Sequence, residues 1–260
     1  MRYTEHASIY DTTMNPIQPT KAMFNRLPES SVSYDLGPTH IHIWSFALDT
    51  PLPAPGMALL NAEEHARAQR FYFAHHRHHF ARARINLRRI LARYLDASQS
   101  AAQLVFDYAE HGKPFLPEHP TLQFNLSHSG NRGLLAVGKK HPLGIDIEQF
   151  SNRPYQGIGR HVFSDEENAA LHTASPSLKP MMFFNMWAQK EAFIKMLGLG
   201  LTYPTTRLTV PRLPNRHNTI VDPVYLGTSN LLVFMPRLAY CAALCHHPSI
   251  QHITYTELTV

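Results

Sequence analysis

The chain reads as an α+β protein built from two similar halves that meet near residue 140. Three observations carry that expectation. Short runs alternate, as in Leu143-Gly144-Ile145-Asp146-Ile147-Glu148, which is the period of a strand with one buried face. Longer stretches, Ala62 to Leu95 and residues 177 to 197, place their apolar residues at helical spacing. The order strand, helices, strands then occurs twice along the 260 residues, without a repeat visible residue by residue.

Residues 1 to 37 are polar, carry prolines and show no sustained period, so they are expected to form a flexible or loosely packed N-terminal extension. The N-terminal α+β half then spans residues 38–140. His40 to Leu48 alternates as a strand, and the prolines at 51, 53 and 55 close it off. From Ala62 to Leu95 a helix with one break near the histidines is expected, with Phe71, Phe80, Ile85, Leu87, Ile90, Leu91 and Tyr94 supplying the core stripe. Strands are expected at 103–108, 122–127, 133–138 and 143–149, separated by Gly-Lys-Pro, Ser-Gly-Asn and His-Pro turns.

The C-terminal half, residues 141–260, opens on the last of these strands. Ser164-Asp165-Glu166-Glu167 is a capping box with Ser164 as N-cap. A second helix runs from 177 to 197 and stops at Gly198, and from Leu208 onward four short strands are punctuated by Pro and Gly.

Composition narrows the class. Hydrophobic residues make up 44% of the chain, enough for a real core. No apolar run approaches the roughly 18 residues that span a bilayer, and the N-terminus lacks a charged segment followed by an apolar one, so a cytoplasmic protein without a membrane partner is expected. Cys241 and Cys245 lie in an apolar, strand-like run, too far apart to join, and read as reduced core thiols. The formal charge of +5 favours an acidic partner. Arg82, Arg84, Arg88, Arg89 and Arg93 decorate the first long helix, but without interleaved aromatics or a reading motif they are expected to form a solvated helix with one or two functional members rather than a nucleic-acid surface. His75, His76, His78 and His79 are spread around the same helix and read as solvated too.

Two acidic clusters carry the chemistry. Asp146 and Glu148 share one face of a strand, roughly 7 Å apart by strand geometry, and repel each other unless water or a cation intervenes. Hard oxygen ligands without neighbouring Cys or an ordered His pair suit Mg²⁺ better than Zn²⁺. An isolated Asp-x-Glu is ordinarily a solvated strand face. The second cluster changes that weighting: Phe183, Trp187, Glu191, Ile194 and Gly198 fall at spacings of three and four, so Glu191 sits within an apolar helical stripe. An acid there is costly unless it is paired or bound to metal. Lys195, one turn further on, is either a simple ion-pair partner for Glu191 or a cation aimed at a phosphate. Phe124-Asn125-Leu126-Ser127-His128-Ser129 ends a strand with small polar side chains, and His111-Gly112-Lys113-Pro114 is by composition an ordinary turn.

Taken in order, H-G-K-P, F-N-L-S-H-S, G-I-D-I-E, F-S-D-E-E and W-A-Q-K-E-A-F-I-K closely resemble the 4′-phosphopantetheinyl transferases of the Sfp type, over roughly residues 40 to 258. Each motif alone is weak, and five in order are specific. The resemblance implies a pseudo-dimer of two α+β halves with the active site in the cleft between them. It also implies Mg²⁺, with coenzyme A as substrate, and transfer of 4′-phosphopantetheine to a serine of an apo acyl or peptidyl carrier protein, releasing adenosine 3′,5′-bisphosphate. Carried over motif by motif, Asp146, Glu148 and Glu191 would hold the metal. Glu191, Lys195 and Asp146 would be catalytic, while Lys195, His128, Lys113 and Ser127 would meet the nucleotide and its phosphates. Arg67 and Arg84 are the candidates for the 3′-phosphate. A monomer acting on acidic carriers is the expected form. The competing classes are a Mg²⁺-dependent nucleotide phosphohydrolase and a catalytically silent module that binds carrier proteins.

Overall fold

The computed structural model of the chain describes residues 22–52, 54–151, 156–212 and 217–258. In chain order its regular elements begin with β1 (Met23–Leu27), β2 (His40–Ala47), α1 (Ala54–Met57), α2 (Ala62–Gln69) and α3 (Ala74–Ala92). Next come β3 (Asp107–Tyr108), β4 (Pro114–Phe115), β5 (Leu122–Ser129), β6 (Arg132–Lys139) and β7 (Leu143–Gln149). After them come α4 (Gln156–Val162), α5 (Asp165–Thr173), α6 (Lys179–Leu197), β8 (His217–Val221), β9 (Thr228–Phe234), β10 (Tyr240–His246) and β11 (His252–Glu257).

Two sheets hold most of these strands, one ordered β1-β11-β2-β6-β5 and one ordered β7-β10-β9-β8, and β3 and β4 pair separately. Each sheet carries a long helix on its outer face. Leu87, Ile90 and Leu91 of α3 pack on Trp44, Phe46, Phe124, Leu135 and Val137 of the first sheet, while Phe183, Ala192, Phe193 and Met196 of α6 pack with Leu231, Cys241, Ala243 and Cys245 of the second. The other faces of the two sheets meet in a third core, with Ile41, Ile43, Leu134 and Ala136 against Ile145, Ile147, Leu232, Leu244 and Ile253. The result is helix, sheet, sheet, helix, the mixed α+β arrangement expected from the alternation of patterns.

Local rules explain several boundaries. Ser164 does form the capping box: its hydroxyl accepts from Glu167 N, and its own N–H donates to Glu167 Oε2 at 2.7 Å. Gly198 ends α6 at φ 71°, the left-handed conformation a glycine adopts without strain. The expected long first helix breaks at Arg70–Phe73 into α2 and α3, where the Arg77 guanidinium donates to the carbonyls of Phe71 and Tyr72.

Three expectations need correction. The segment 1–37 is not an extension throughout. Residues 1–21 lie outside the described residues, but Met23–Leu27 is a strand parallel to β11, with Phe24 packed between Phe234 and Tyr255, and Leu36 is 1% exposed. Its partner lies over two hundred residues away, so no local period could announce it. The strand expected at 103–108 is a 3₁₀ turn, Ala101–Gln103, followed by the two residues of β3. Of the four C-terminal strands, β11 leaves its own half and inserts between β1 and β2 of the first sheet. The two buried cysteines are free thiols, and burial raises the pKa of both.

Candidate active site

The halves are joined along β5 and β7 by side chains. Every second residue of β5 reaches across: Asn125 Oδ1 accepts from Ile145 N at 2.8 Å, Ser127 Oγ donates to Asp146 Oδ1 at 2.8 Å, and Ser129 Oγ donates to Glu148 Oε2 at 2.9 Å. Period-2 geometry aims all three at the neighbouring strand. On the other side of β7, α6 comes unusually near. A β-carbon at Gly144 would overlap the Ala192 carbonyl oxygen and the Met196 amide nitrogen, so only glycine lets the helix that carries Glu191 and Lys195 lie against the strand that carries Asp146.

That close approach assembles the site. Lys195 Nζ donates to Asp146 Oδ1 at 2.5 Å and to Ser127 Oγ at 3.1 Å. Asp146 is 3% exposed, and its second oxygen, Oδ2, is buried without a hydrogen-bond partner. Lys195 therefore pairs with Asp146 rather than serving only its own helix neighbour Glu191. Burial raises the pKa of Glu148 to about 7, and the Asp146 charge adds to it against the opposing pulls of Ser129, Lys195 and the Trp187 indole. Burial raises Glu191 as well; Lys195 opposes this and Asp146 adds to it. Glu148 and Glu191 thus both respond to the Asp146 charge and to the single ammonium of Lys195.

An orphaned buried oxygen beside two carboxylates with raised pKa values is a hard, oxygen-only donor set of the kind a divalent cation relieves. In the present side-chain arrangement Lys195 holds Asp146 and Ser129 holds Glu148, and no three acids or histidines are gathered as a ligand set among the described residues.

Glu191 and Lys195 border a cleft of about 290 Å³ to which both halves contribute, lined by His111, Lys113 and Asn125 from one and by Glu191, Lys195 and Gly200 from the other. A larger groove of about 890 Å³, between α5, β8 and residues 209–212, includes none of the seam residues. His128 stands at the exposed end of β5; besides its desolvation by the surrounding protein, nearby Lys195 and His79 hold its pKa down.

Other residues singled out in the sequence land differently. Lys113 is a tether: its ammonium donates to the carbonyls of Leu143 at 3.0 Å and Met196 at 3.2 Å, and burial lowers its pKa to about 8. Arg84 is not free to meet a phosphate. It is buried against Glu64, with Nε at 2.6 Å from Oε1, and its guanidinium stacks over Phe106 at 4.6 Å. Arg88 shares the same carboxylate. Arg67 remains exposed, over the ring of Phe80. Two features escaped the sequence. Lys190, inside the W-A-Q-K-E-A-F-I-K run, is wholly buried on Glu167 rather than in the cleft. His79 reaches the surroundings of His128, although its spacing gave only a solvated helix face.

Comparison with known proteins agrees with the geometry. The profile of the 4′-phosphopantetheinyl transferase superfamily matches residues 142–238, and that of the 4′-phosphopantetheinyl transferase N-terminal region matches residues 54–140. The chain is similar to the 4′-phosphopantetheinyl transferase HetI of Nostoc sp., with 37% identity over 62% of this chain and 70% of that protein. It is also similar to a 4′-phosphopantetheinyl transferase of Bacillus subtilis, with 31% identity over 83% of this chain and 99% of the relative. The 4′-phosphopantetheinyl transferase Sfp of Bacillus subtilis is 28% identical over the same shares. The chain belongs to the 4′-phosphopantetheinyl transferase superfamily and is of the Sfp type.

Proposed function

We propose that the chain transfers 4′-phosphopantetheine from coenzyme A to a serine of an apo acyl or peptidyl carrier protein and releases adenosine 3′,5′-bisphosphate. The observation that carries this reading is the seam of Asp146, Lys195 and Ser127, flanked by Glu148 and Glu191, at a cleft shared by both halves. Asp146, Glu148 and Glu191 would hold Mg²⁺. Magnesium, when bound, supplies charge neutralisation for the pyrophosphate oxygens.

The residues themselves position and move charge. Glu191, with a pKa raised by burial, accepts the proton of the serine hydroxyl as its oxygen bonds to the phosphorus that carries the pantetheine arm. The bond from that phosphorus to the bridging oxygen breaks, and Lys195 faces the negative charge that collects on the departing nucleotide phosphate. Ser127 keeps Lys195 and Asp146 in register by bonding to both. His128 and Arg67 are the remaining phosphate contacts of this reading. The positive balance of +5 suits carriers that are acidic around their serine. A monomer in the cytoplasm, without nucleic-acid or membrane partners, is the form proposed; no helix among the described residues is long and apolar enough to cross a membrane.

Incubation with coenzyme A, Mg²⁺ and an apo carrier protein, followed by mass measurement of the carrier, tests the reading. Gain of one phosphopantetheinyl group supports it. An unchanged carrier with intact coenzyme A would leave a silent binding module, and an unchanged carrier with degraded nucleotide would leave a phosphohydrolase.

A further inference from the structure

The two serines of the seam between β5 and β7 are wired in the same way. Ser127 Oγ accepts from Lys195 Nζ at 3.1 Å and donates to Asp146 Oδ1 at 2.8 Å. Two residues further along β5, Ser129 Oγ accepts from the backbone N–H of Gln149 at 3.1 Å and donates to Glu148 Oε2 at 2.9 Å. A hydroxyl carries one proton, so once its oxygen accepts from an amide or an ammonium, that proton is left for one other partner. In both places the partner is a carboxylate of the proposed metal site. Each serine therefore takes one oxygen of its acid and gives the carboxyl group a fixed direction.

The need for such a guide differs between the two acids. Asp146 is short and buried; Lys195 and Ser127 share its Oδ1, and Oδ2 is the buried oxygen without a partner. Glu148 has one more rotatable bond and is only half-buried, so it has more freedom to lose on binding a cation. The Trp187 indole also bonds its carboxylate, and Ser129 supplies the contact from the opposite half of the molecule. The end of β5 that carries Ser129 is itself held. The Tyr240 hydroxyl donates to Asn131 Oδ1 at 2.9 Å in the turn that follows, and Tyr240 is the ladder partner of Gln149, whose amide aims the serine. The donor is thus anchored at its backbone and at its hydroxyl before any cation arrives, which is the condition for an outer residue to raise the affinity of the ligand it touches.

We propose that Ser129 is a positioning residue of the metal site: its hydroxyl, aimed by the Gln149 amide, holds one oxygen of Glu148 and so presents that carboxylate to the cation, as Ser127 does for Asp146. The proposal rests on the reading above that Asp146, Glu148 and Glu191 hold Mg²⁺. It gives a role to the last residue of F-N-L-S-H-S, where the sequence pointed only to Ser127 and His128.

Binding of Mn²⁺, used in place of Mg²⁺ and followed by the electron paramagnetic resonance signal of the free ion, tests it on the full chain at pH 8.0 with coenzyme A present and no carrier. Ser129→Ala should raise the Kd for Mn²⁺ about tenfold or more, the loss typical of an outer partner of a metal ligand. Ser129→Thr and Ser129→Val have the same shape and differ in the hydroxyl, so a packing defect falls on both alike. Thr should stay within about threefold of wild type, while Val should weaken binding as Ala does. In transfer assays the Mg²⁺ concentration for half-maximal rate should rise by a similar factor in the Ala and Val variants, with kcat at saturating Mg²⁺ falling by less than about threefold. A Ser129→Ala protein that binds Mn²⁺ within about twofold of wild type, or a Val variant that binds it as tightly as the Thr variant, overturns the proposal and leaves the transferase reading intact. A wild-type protein that binds no Mn²⁺ beside coenzyme A overturns the metal reading together with it.

Discussion

Replacing Lys190 by Met should cost about 3–5 kcal/mol of folding stability, although the side chain touches neither cleft nor carboxylate seam. Its ammonium donates to three carbonyls, Val162 at 3.0 Å, Thr205 at 2.8 Å and Leu208 at 2.6 Å, and pairs with Glu167 Oε2 at 2.7 Å. Both side chains are buried, at 1% and 0% exposure. The Met side chain fills similar volume, so the loss is electrostatic: one uncompensated buried carboxylate and three carbonyls that lose the ammonium, of which the Thr205 carbonyl still accepts from Leu208 N. Against a typical total of about 5–15 kcal/mol this is a large share. Urea unfolding at pH 7.5 measures it. The double variant Lys190→Met, Glu167→Gln removes the stranded charge while keeping an acceptor for one of Ser164 N and Val210 N, which donate to different oxygens of Glu167. It should therefore be less damaging than the sum of the single changes by at least about 2 kcal/mol. A single-variant loss below about 1 kcal/mol, or strict additivity, would refute the assignment of Lys190 as the pin between α5, α6 and residues 205–208.

Two further outcomes follow from the seam. Gly144→Ala must push α6 away from β7, since the new methyl meets backbone on two sides; a loss of about 1–3 kcal/mol or more is expected in the same unfolding assay, together with reduced transfer activity because Lys195 shifts from Asp146. Unchanged stability and activity would show that the helix does not lie so close. Lys113 has a folded pKa lowered to about 8, below its unfolded value near 10.5, so between those values the unfolded chain binds more protons and stability rises with pH. Comparing wild type with Lys113→Met in urea at pH 8 and pH 9.5 isolates that rise: it should be smaller in the variant, and equal slopes would contradict the shift.

How much of this was legible in the sequence differs by residue. The strand through Asp146 and Glu148, the Ser164 cap and the Gly198 stop rest on local periods and local hydrogen bonds, and all three are present in the structure. The strand at Met23–Leu27 and the insertion of β11 between β1 and β2 depend on partners far along the chain, which no window reveals. At the site, the strand and helix patterns placed Asp146, Glu148, Glu191 and Lys195 without saying which would touch. The close packing at Gly144 decides that, by bringing Lys195 to Asp146. Ser127 was legible as a polar residue at a strand end but not as a bond to β7, and Lys113 and Arg84 read as free cations because composition cannot show the carbonyls and the Glu64 carboxylate that hold them.

The most direct test of the carboxylate seam as the catalytic centre is the rate at which a Glu191→Ala protein converts an apo carrier to its phosphopantetheinylated form, with coenzyme A and Mg²⁺ saturating. Loss of a general base predicts a fall of about 10²–10⁴ in kcat with the fold retained. A variant that modifies the carrier at close to the wild-type rate would contradict the account.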